Sequence, residues 1–225
     1  MVRIDSSGKV VVYTGPNHID YRMRIDQGSP EPICVSCGWP THVNYDGSAA
    51  LFESYSDRER LITWSKGTTK PLIASPDPKN RRQYAGRFSP NGRWVAFCAF
   101  APDGNAREIV IVPNAPERQL RDDEWISISD GQTSEREPVW SADGRRLFFI
   151  SDRDGFRCIW VRDIDPETGR PSGPAVAVAH FHHTRELLRG PLASPGSIGF
   201  TATAKALVFT VARTIGDIWW QRAGR

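Results

Sequence analysis

Short apolar runs separated by polar turns recur along the chain, and the clearest example is PVWSADGRRLFFISDRDGFRCIWVRDI at residues 138–164. Three apolar runs in this segment are separated by two turns that each contain an Asp-Gly pair. Asp-Gly between apolar runs is typical of β-hairpins, because glycine adopts a positive φ angle without a steric clash. Leu147 to Ile150 are consecutive apolar residues, which predicts a strand covered on both faces. The segment therefore predicts three antiparallel strands of one interior sheet.

The same pattern occurs in five copies, each with an apolar start, a turn position four residues later and an aromatic residue nine positions later. The copies start at Ile4, Val43, Phe88, Trp140 and Phe200. The turn column contains Gly8, Gly47, Gly92 and Gly144, with Ala204 in the last copy. The aromatic column contains Tyr13, Phe52, Phe97, Phe149 and Phe209. The spacing of the early copies is typical of four-stranded propeller blades, which repeat every ~40–45 residues. The missing glycine predicts a different turn in the last copy.

Two further strands follow the hairpin in most copies. The predicted third strands are YRMRI, RLITW, EIVIV, FRCIWVRDI and DIWW, starting at residues 21, 60, 108, 156 and 217. The predicted fourth strands are EPICV, KPLIA, EWISI and AVAVAHF, starting at residues 31, 70, 124 and 175. The extra length of the later copies is assigned to loops, such as residues 101–107 and 184–198.

We predict an all-β fold, a β-propeller of about five four-stranded antiparallel blades. One domain covers residues 1–225, with blades at 1–37, 38–79, 80–131, 132–190 and 191–225. The first copy has a short first strand and the last copy ends after its third strand. Either the ring closes imperfectly or the chain is a piece of a propeller of six or more blades, and we favour the second alternative.

Composition and charge add little about partners. The 29 basic and 26 acidic residues are spread along the chain, so the sequence predicts no nucleic-acid partner. The N-terminus lacks the apolar core of a signal peptide, and no run approaches the ~20 apolar residues that span a bilayer. We expect a cytoplasmic chain as written, or a periplasmic one if it derives from a longer exported or membrane-anchored protein.

Residues 138–164 resemble the repeat of TolB-like propellers, which runs Pro-x-Trp-Ser-Pro-Asp-Gly, an apolar strand, Ser-Asp-Arg-Asp-Gly and a further apolar strand. RFSPNGRWVAFCAF at residues 87–100 matches the first half, whereas Ala142 stands where the family has proline. The resemblance implies a non-enzymatic propeller that binds partner proteins, six-bladed and periplasmic in the type member. CVSCGWPTHVNYDG and GDIWWQR, starting at residues 34 and 216, are more similar to propellers of bacterial signalling proteins, which follow a kinase or winged-helix domain and a membrane span.

Three groups of residues are candidates for chemistry. Asp143, Asp152 and Asp154 are carboxylates in turns, but two of them precede a turn glycine, where aspartate bonds the local backbone. A structural role in the turns is therefore the preferred interpretation, and acid/base chemistry is the alternative.

The other two groups are potential metal ligands. Cys34 and Cys37 form a CxxC, which favours a reversible disulfide or two ordinary thiols over metal, with His42 as the third ligand in the metal alternative. Cys98 and Cys158 stand alone in predicted strands.

His180 and His182 share one face of a strand, with His183 and Glu186 nearby, and exposed histidines on an outer strand are preferred over a metal site.

The sequence therefore predicts no catalytic, cofactor-binding or metal-binding residues and no enzymatic activity. The predicted function is a protein-interaction or ligand-sensing module that binds a partner or small ligand at a propeller face or in its channel. The alternative is the propeller domain of a peptidase or glycosidase, which positions substrate. Metal or redox binding at the CxxC is a third possibility.

Overall fold

The computed structural model describes residues 1–54, 61–72, 81–100, 107–115, 117–118, 120–129, 133–182, 186–188 and 199–213. These residues form twenty β-strands and two single-turn 3-10 helices, at Pro16–His18 and Asp122–Glu124. Within this part of the chain, no helix has the length and apolar character needed to cross a membrane. The predicted all-β class is confirmed.

Four sheets of four antiparallel strands follow one another along the chain, and each sheet is one blade. Blade 1 contains β1 to β4, at Val2–Ile4, Val10–Thr14, Ile19–Arg24 and Pro30–Val35. Blade 2 contains β5 to β8, at Trp39–Val43, Ala49–Glu53, Leu61–Ser65 and Thr68–Pro71. Blade 3 contains β9 to β12, at Arg82–Phe88, Trp94–Phe100, Arg107–Pro113 and Ile126–Ser127. Blade 4 contains β13 to β16, at Glu135–Trp140, Arg146–Ser151, Cys158–Asp163 and Val176–Ala179. In each blade the strand order in the sheet follows the chain.

The fifth blade is built from two short pairs. The strand β18 (Phe200–Ala202) pairs with β19 (Leu207–Phe209), and β17 (Glu186–Leu188) pairs with β20 (Val211–Arg213). Only Thr210 separates β19 from β20, so these two segments form one nearly continuous strand. The strands β17 and β18 pair with its two halves and therefore lie end to end beside it. The loop predicted at 184–198 is therefore wrong in part, because it contains a strand of the fifth blade. The predicted third strand DIWW lies outside the described residues.

The hairpin turns use the glycine column as predicted. Gly8, Gly47, Gly92 and Gly144 have φ angles of 71°, 69°, 70° and 70°. Each glycine N–H donates to the carbonyl three residues earlier, at 2.9–3.1 Å. The residue before the glycine keeps a negative φ, so each turn is a type I turn followed by a left-handed glycine. The last hairpin is shorter, with a bond from Thr203 N–H to the Ala206 carbonyl at 2.8 Å, which confirms that its turn is different.

The aromatic column fills the cores between blades. Four hydrophobic clusters lie at the four contacts between consecutive blades, and Phe52, Phe97 and Phe149 are each 0% exposed. Each of these rings packs on the preceding blade, as Phe97 does with Leu51 and Leu61. Burial of such rings on both sides of a blade fixes the blades side by side.

The innermost strands contact one another in the order β1, β5, β9, β13 and β18. Within the described residues, the five blades form an arc that does not close into a ring. The assignment of residues 1–225 to one domain, with the blade limits given above, stays a prediction.

Phe97→Ala should lower the free energy of unfolding by about 3–5 kcal/mol, because it leaves a cavity between blades 2 and 3. Urea unfolding of the purified chain measures this loss. Val208→Ala, at a position 54% exposed, is the control and should change the value by less than about 0.5 kcal/mol. Equal effects of the two substitutions would contradict the described packing.

Candidate functional site

A cavity of about 1150 Å³ lies at the centre of the arc, where the innermost strands of all five blades meet. Its wall includes Arg3 of β1, Thr41 and His42 of β5, Arg87 of β9, Val139 of β13 and Phe200 of β18. Because every blade contributes to the wall, the cavity depends on the assembled arc and not on any single repeat.

A backbone irregularity in β5 gives the cavity its most polar feature. Pro40 pairs with Phe52 and His42 pairs with Leu51, so Thr41 is bulged out of the ladder. The Thr41 carbonyl instead accepts hydrogen bonds from Arg3 Nε and from Arg87 Nη1, both at 2.9 Å. Arginines of the first and third blades thus converge on one carbonyl of the second blade.

The two guanidinium groups influence each other electrostatically. Burial and the positive charge of Arg87 lower the pKa of Arg3, and the carboxyl groups of Glu53 and Glu137 partly oppose this effect. Burial raises the pKa of Glu137, while Arg87 acts in the opposite direction. Arg3 and Arg87 belong to the cavity lining and the two glutamates do not. The wall therefore presents two guanidinium groups, and Glu53 and Glu137 lie near enough to balance part of their charge.

His42 adds a neutral donor to the same wall. The Phe88 N–H donates to His42 Nδ1 at 3.2 Å, so in the neutral ring the proton is on Nε2. Burial, with the charges of Arg87 and Arg3, lowers the pKa of His42 to about 3. The ring is uncharged at neutral pH, and its Nε2–H is a hydrogen-bond donor.

The acidic turn residues do not form a pair of carboxylates for acid/base work. Asp143 Oδ1 accepts from the Arg145 N–H at 3.1 Å, and the Ser141 hydroxyl lowers the pKa of Asp143. Asp152 Oδ1 accepts from the Ser134 N–H at 3.1 Å. The Asp143 contact is the local backbone bond that the turn interpretation predicts, whereas Asp152 accepts from a backbone N–H eighteen residues earlier in the chain.

Cys34 and Cys37 form a disulfide. The potential ligand next to the two cysteines is the Asp20 carboxylate, and not the His42 imidazole that the sequence suggested as the third ligand. Asp20 is buried and accepts a hydrogen bond from Thr14 Oγ1 at 2.8 Å, and burial raises its pKa. A disulfide offers no thiolate to a metal, so this group in its oxidised form is structural and joins the end of β4 to the segment before β5.

Asp154, Cys158, His180 and His182 come together at the outer edge of blade 4, with their ligand atoms all within 4.8 Å of one another. Asp154 Oδ2 lies 3.1 Å from His180 Nδ1 and 2.8 Å from His182 Nε2. The sequence paired His180 with His182 and treated Asp154 and Cys158 as separate features. His183 and the Glu186 side chain lie outside the described part of the chain.

No protein-family model matches the chain, and no curated protein matches it. Solved structures do match. A protein assigned as TolB from Agrobacterium tumefaciens has a TM-score of 0.57 and 17% identity over 78% of this chain. TolB from Acinetobacter baumannii has a TM-score of 0.51 and 14% identity over 78% of this chain. The fold is that of a TolB-like β-propeller.

A peptidase propeller matches the chain as well. A puromycin-hydrolyzing peptidase from Mycobacterium tuberculosis has a TM-score of 0.66 and 14% identity over 94% of this chain, which corresponds to 34% of the peptidase. The chain also spans only 63% of the Agrobacterium protein and 44% of the Acinetobacter protein. At these identities, the comparisons establish the TolB-like fold and no more.

Sequence reasoning missed Arg3 and Arg87, which the TolB-like fold brings together across three blades. The sequence does contain a partial signal for these two cavity residues, because each arginine lies one position before the start of a repeat, at Ile4 and Phe88. Val43 has His42 at the same position. Aligning the repeats for polar residues, in addition to turns and aromatics, would therefore have pointed to the channel wall.

His42 should make the protein sensitive to acid. Its pKa is about 3 in the folded chain and about 6.5 when unfolded, so protonation favours the unfolded state. Stability is then lost as the pH falls below about 6.5, by roughly 2 kcal/mol between pH 7 and pH 5. In His42→Asn, the amide oxygen can replace Nδ1 as the acceptor. Between pH 7 and pH 5, the free energy of unfolding of this variant should fall by roughly 2 kcal/mol less than that of the wild type.

Urea unfolding at the two pH values measures both losses. His18→Asn, at an exposed position, is the control and should behave as the wild type does. The same acid loss in His42→Asn and in the wild type would contradict a neutral His42 in the folded chain.

Proposed function

We propose that the chain is a non-catalytic interaction module that binds an acidic protein segment in its central cavity. The convergence of Arg3 and Arg87 on the Thr41 carbonyl, inside a cavity of about 1150 Å³, carries this proposal. The TolB-like fold agrees with it, because rigid blades hold a variable surface around a channel.

The two arginines are held ready for an anionic group. A guanidinium has five N–H donors, and the intramolecular bonds of Arg3 and Arg87 use only some of them. The bond to Thr41 fixes both side chains before a ligand arrives, which lowers the entropy lost on binding. A carboxylate can accept two parallel hydrogen bonds from such a group. With the donor at His42 Nε2, the wall favours acceptor groups.

The size of the cavity favours a segment of protein over a small molecule. Small-molecule pockets usually have volumes of roughly 300–1,000 Å³. The volume of the central cavity exceeds that range, and residues of all five blades line it. An extended peptide can use this length, with one acidic side chain at the arginines.

A fluorescein-labelled tetraglutamate peptide is a suitable probe, and its fluorescence anisotropy measures binding to the full chain. We expect saturable binding that Arg3→Gln combined with Arg87→Gln weakens at least tenfold, because each charge-assisted hydrogen bond contributes about 1.5–3 kcal/mol. Labelled tetraglutamine should not bind.

The matched control combines Arg170→Gln with Arg213→Gln, which removes the same charge from exposed positions outside the cavity lining. Its affinity for the peptide should stay within about twofold of wild type. Equal weakening in the two double variants would mean non-specific attraction to the surface and would contradict the proposal, as would no binding to the wild type.

The alternative function, a peptidase propeller that positions substrate, is favoured by the match to the puromycin-hydrolyzing peptidase over 94% of the chain. Titration of puromycin into the full chain, followed by calorimetry, separates the two proposals. The interaction module for acidic segments predicts no binding, because puromycin has no carboxylate. Saturable one-site binding of puromycin would favour the alternative.

A further inference from the structure

The edge of blade 4 brings together four potential metal ligands from three places in the chain. Asp154 lies in the turn between β14 and β15, and Cys158 is the first residue of β15. His180 and His182 follow the last residue of β16. Ile159 pairs with Ala179, so the antiparallel register places the start of β15 beside the end of β16. The turn before β15 and the histidines after β16 therefore meet at one edge.

The distances in this cluster fit a tetrahedral ion. Asp154 Oδ2, His180 Nδ1 and His182 Nε2 form a triangle with sides of 3.1, 3.2 and 2.8 Å. Nitrogen and oxygen ligands bind zinc at about 2.0–2.2 Å, so their mutual separation in a tetrahedron is about 3.3 Å. Cys158 Sγ is the fourth ligand atom, within 4.8 Å of the other three.

Neighbouring contacts orient the ligands. The Phe181 N–H donates to Cys158 Sγ at 3.3 Å, and the Phe156 N–H donates to Asp154 Oδ1 at 3.4 Å. Such bonds from surrounding groups fix metal ligands in proteins. They also leave Asp154 Oδ2 directed at the histidines.

The strand alternation after β16 separates the histidines from the core. Phe181 packs edge-on against Phe209 at 5.5 Å, in the hydrophobic cluster between blades 4 and 5. His180 and His182, on either side of Phe181, point the other way and are both exposed. The packing of Phe181 thus holds the two imidazole rings next to Asp154.

A buried ion pair supports the turn that carries Asp154. Arg153 forms a salt bridge with Glu135 of the innermost strand, and Glu135 is 0% exposed. Arg153 also lies over the ring of Trp160, at 4.7 Å from its centroid. The position of the neighbouring Asp154 is therefore fixed by the body of the blade.

We propose that Asp154, Cys158, His180 and His182 bind one Zn²⁺ ion. One sulfur, two imidazole nitrogens and one carboxylate oxygen form a mixed donor set that suits zinc, whereas Mg²⁺ and Ca²⁺ require oxygen ligands. Four protein ligands leave no open position, so the ion has a structural role. This departs from the sequence-based expectation of exposed histidines without metal.

The ion would connect the second turn of blade 4 to its outermost strand. It would thereby hold Phe181 in the core shared with the fifth blade, which within the described residues consists only of short strand pairs. None of the four ligands lines the central cavity, so zinc binding and peptide binding are independent proposals.

Titration of the full, disulfide-bonded chain with Co²⁺ tests the site directly. We expect one equivalent to give a thiolate-to-cobalt charge-transfer band and the intense d–d bands of four-coordinate cobalt, both lost on adding Zn²⁺. Saturating Zn²⁺ should raise Tm by about 5 °C or more, and a chelator should reverse the rise. Cys158→Ser should abolish the charge-transfer band.

His182→Gln and Asp154→Asn, at more exposed positions, should weaken Zn²⁺ binding at least about tenfold while circular dichroism stays unchanged. His18→Gln is the matched control for loss of a histidine, and Cys34→Ser combined with Cys37→Ser tests the other cysteines; both should retain the cobalt spectrum. The proposal is wrong if Co²⁺ gives no charge-transfer band, if Cys158→Ser keeps it, or if Zn²⁺ affinity is the same in His182→Gln, Asp154→Asn and wild type.

Discussion

Packing between consecutive blades is the interaction on which the rest of the structure depends. Blades 2, 3 and 4 each place a fully buried ring, Phe52, Phe97 or Phe149, against the blade before it. The three middle blades are covered on both faces as a result, and the innermost strands of the arc are held around one centre. Without this packing there would be no central cavity, because its wall comes from five separate sheets.

The same packing explains where function can be located. Core positions of a blade are fully used by neighbouring blades, so variation is tolerated at the inner rim and the outer edge. At the inner rim, the bulge at Thr41 frees a carbonyl that gathers Arg3 and Arg87. At the outer edge, the register of β15 and β16 gathers Asp154 and the histidines.

The sequence was sufficient for the blades and insufficient for both sites. Glycine turns and buried aromatic residues are local patterns, so Gly144 and Phe149 were placed correctly from spacing alone. The cavity arginines come from different blades, and only the curvature of the arc brings them together. Asp154 was interpreted as a turn residue. Its Oδ1 does accept from the turn backbone, but its Oδ2 lies next to the histidines, which the turn interpretation did not predict. The split fifth blade was missed because eleven residues, 189–199, separate its strands β17 and β18.

Hydrogen exchange with and without tetraglutamate, measured by mass spectrometry, tests most directly whether binding occurs at the centre of the arc. The account predicts slower exchange in β5 and β9, the innermost strands next to Thr41 and Arg87, and no change in the outermost strands β8 and β12. Slower exchange confined to the outermost strands, with β5 and β9 unchanged, would contradict it.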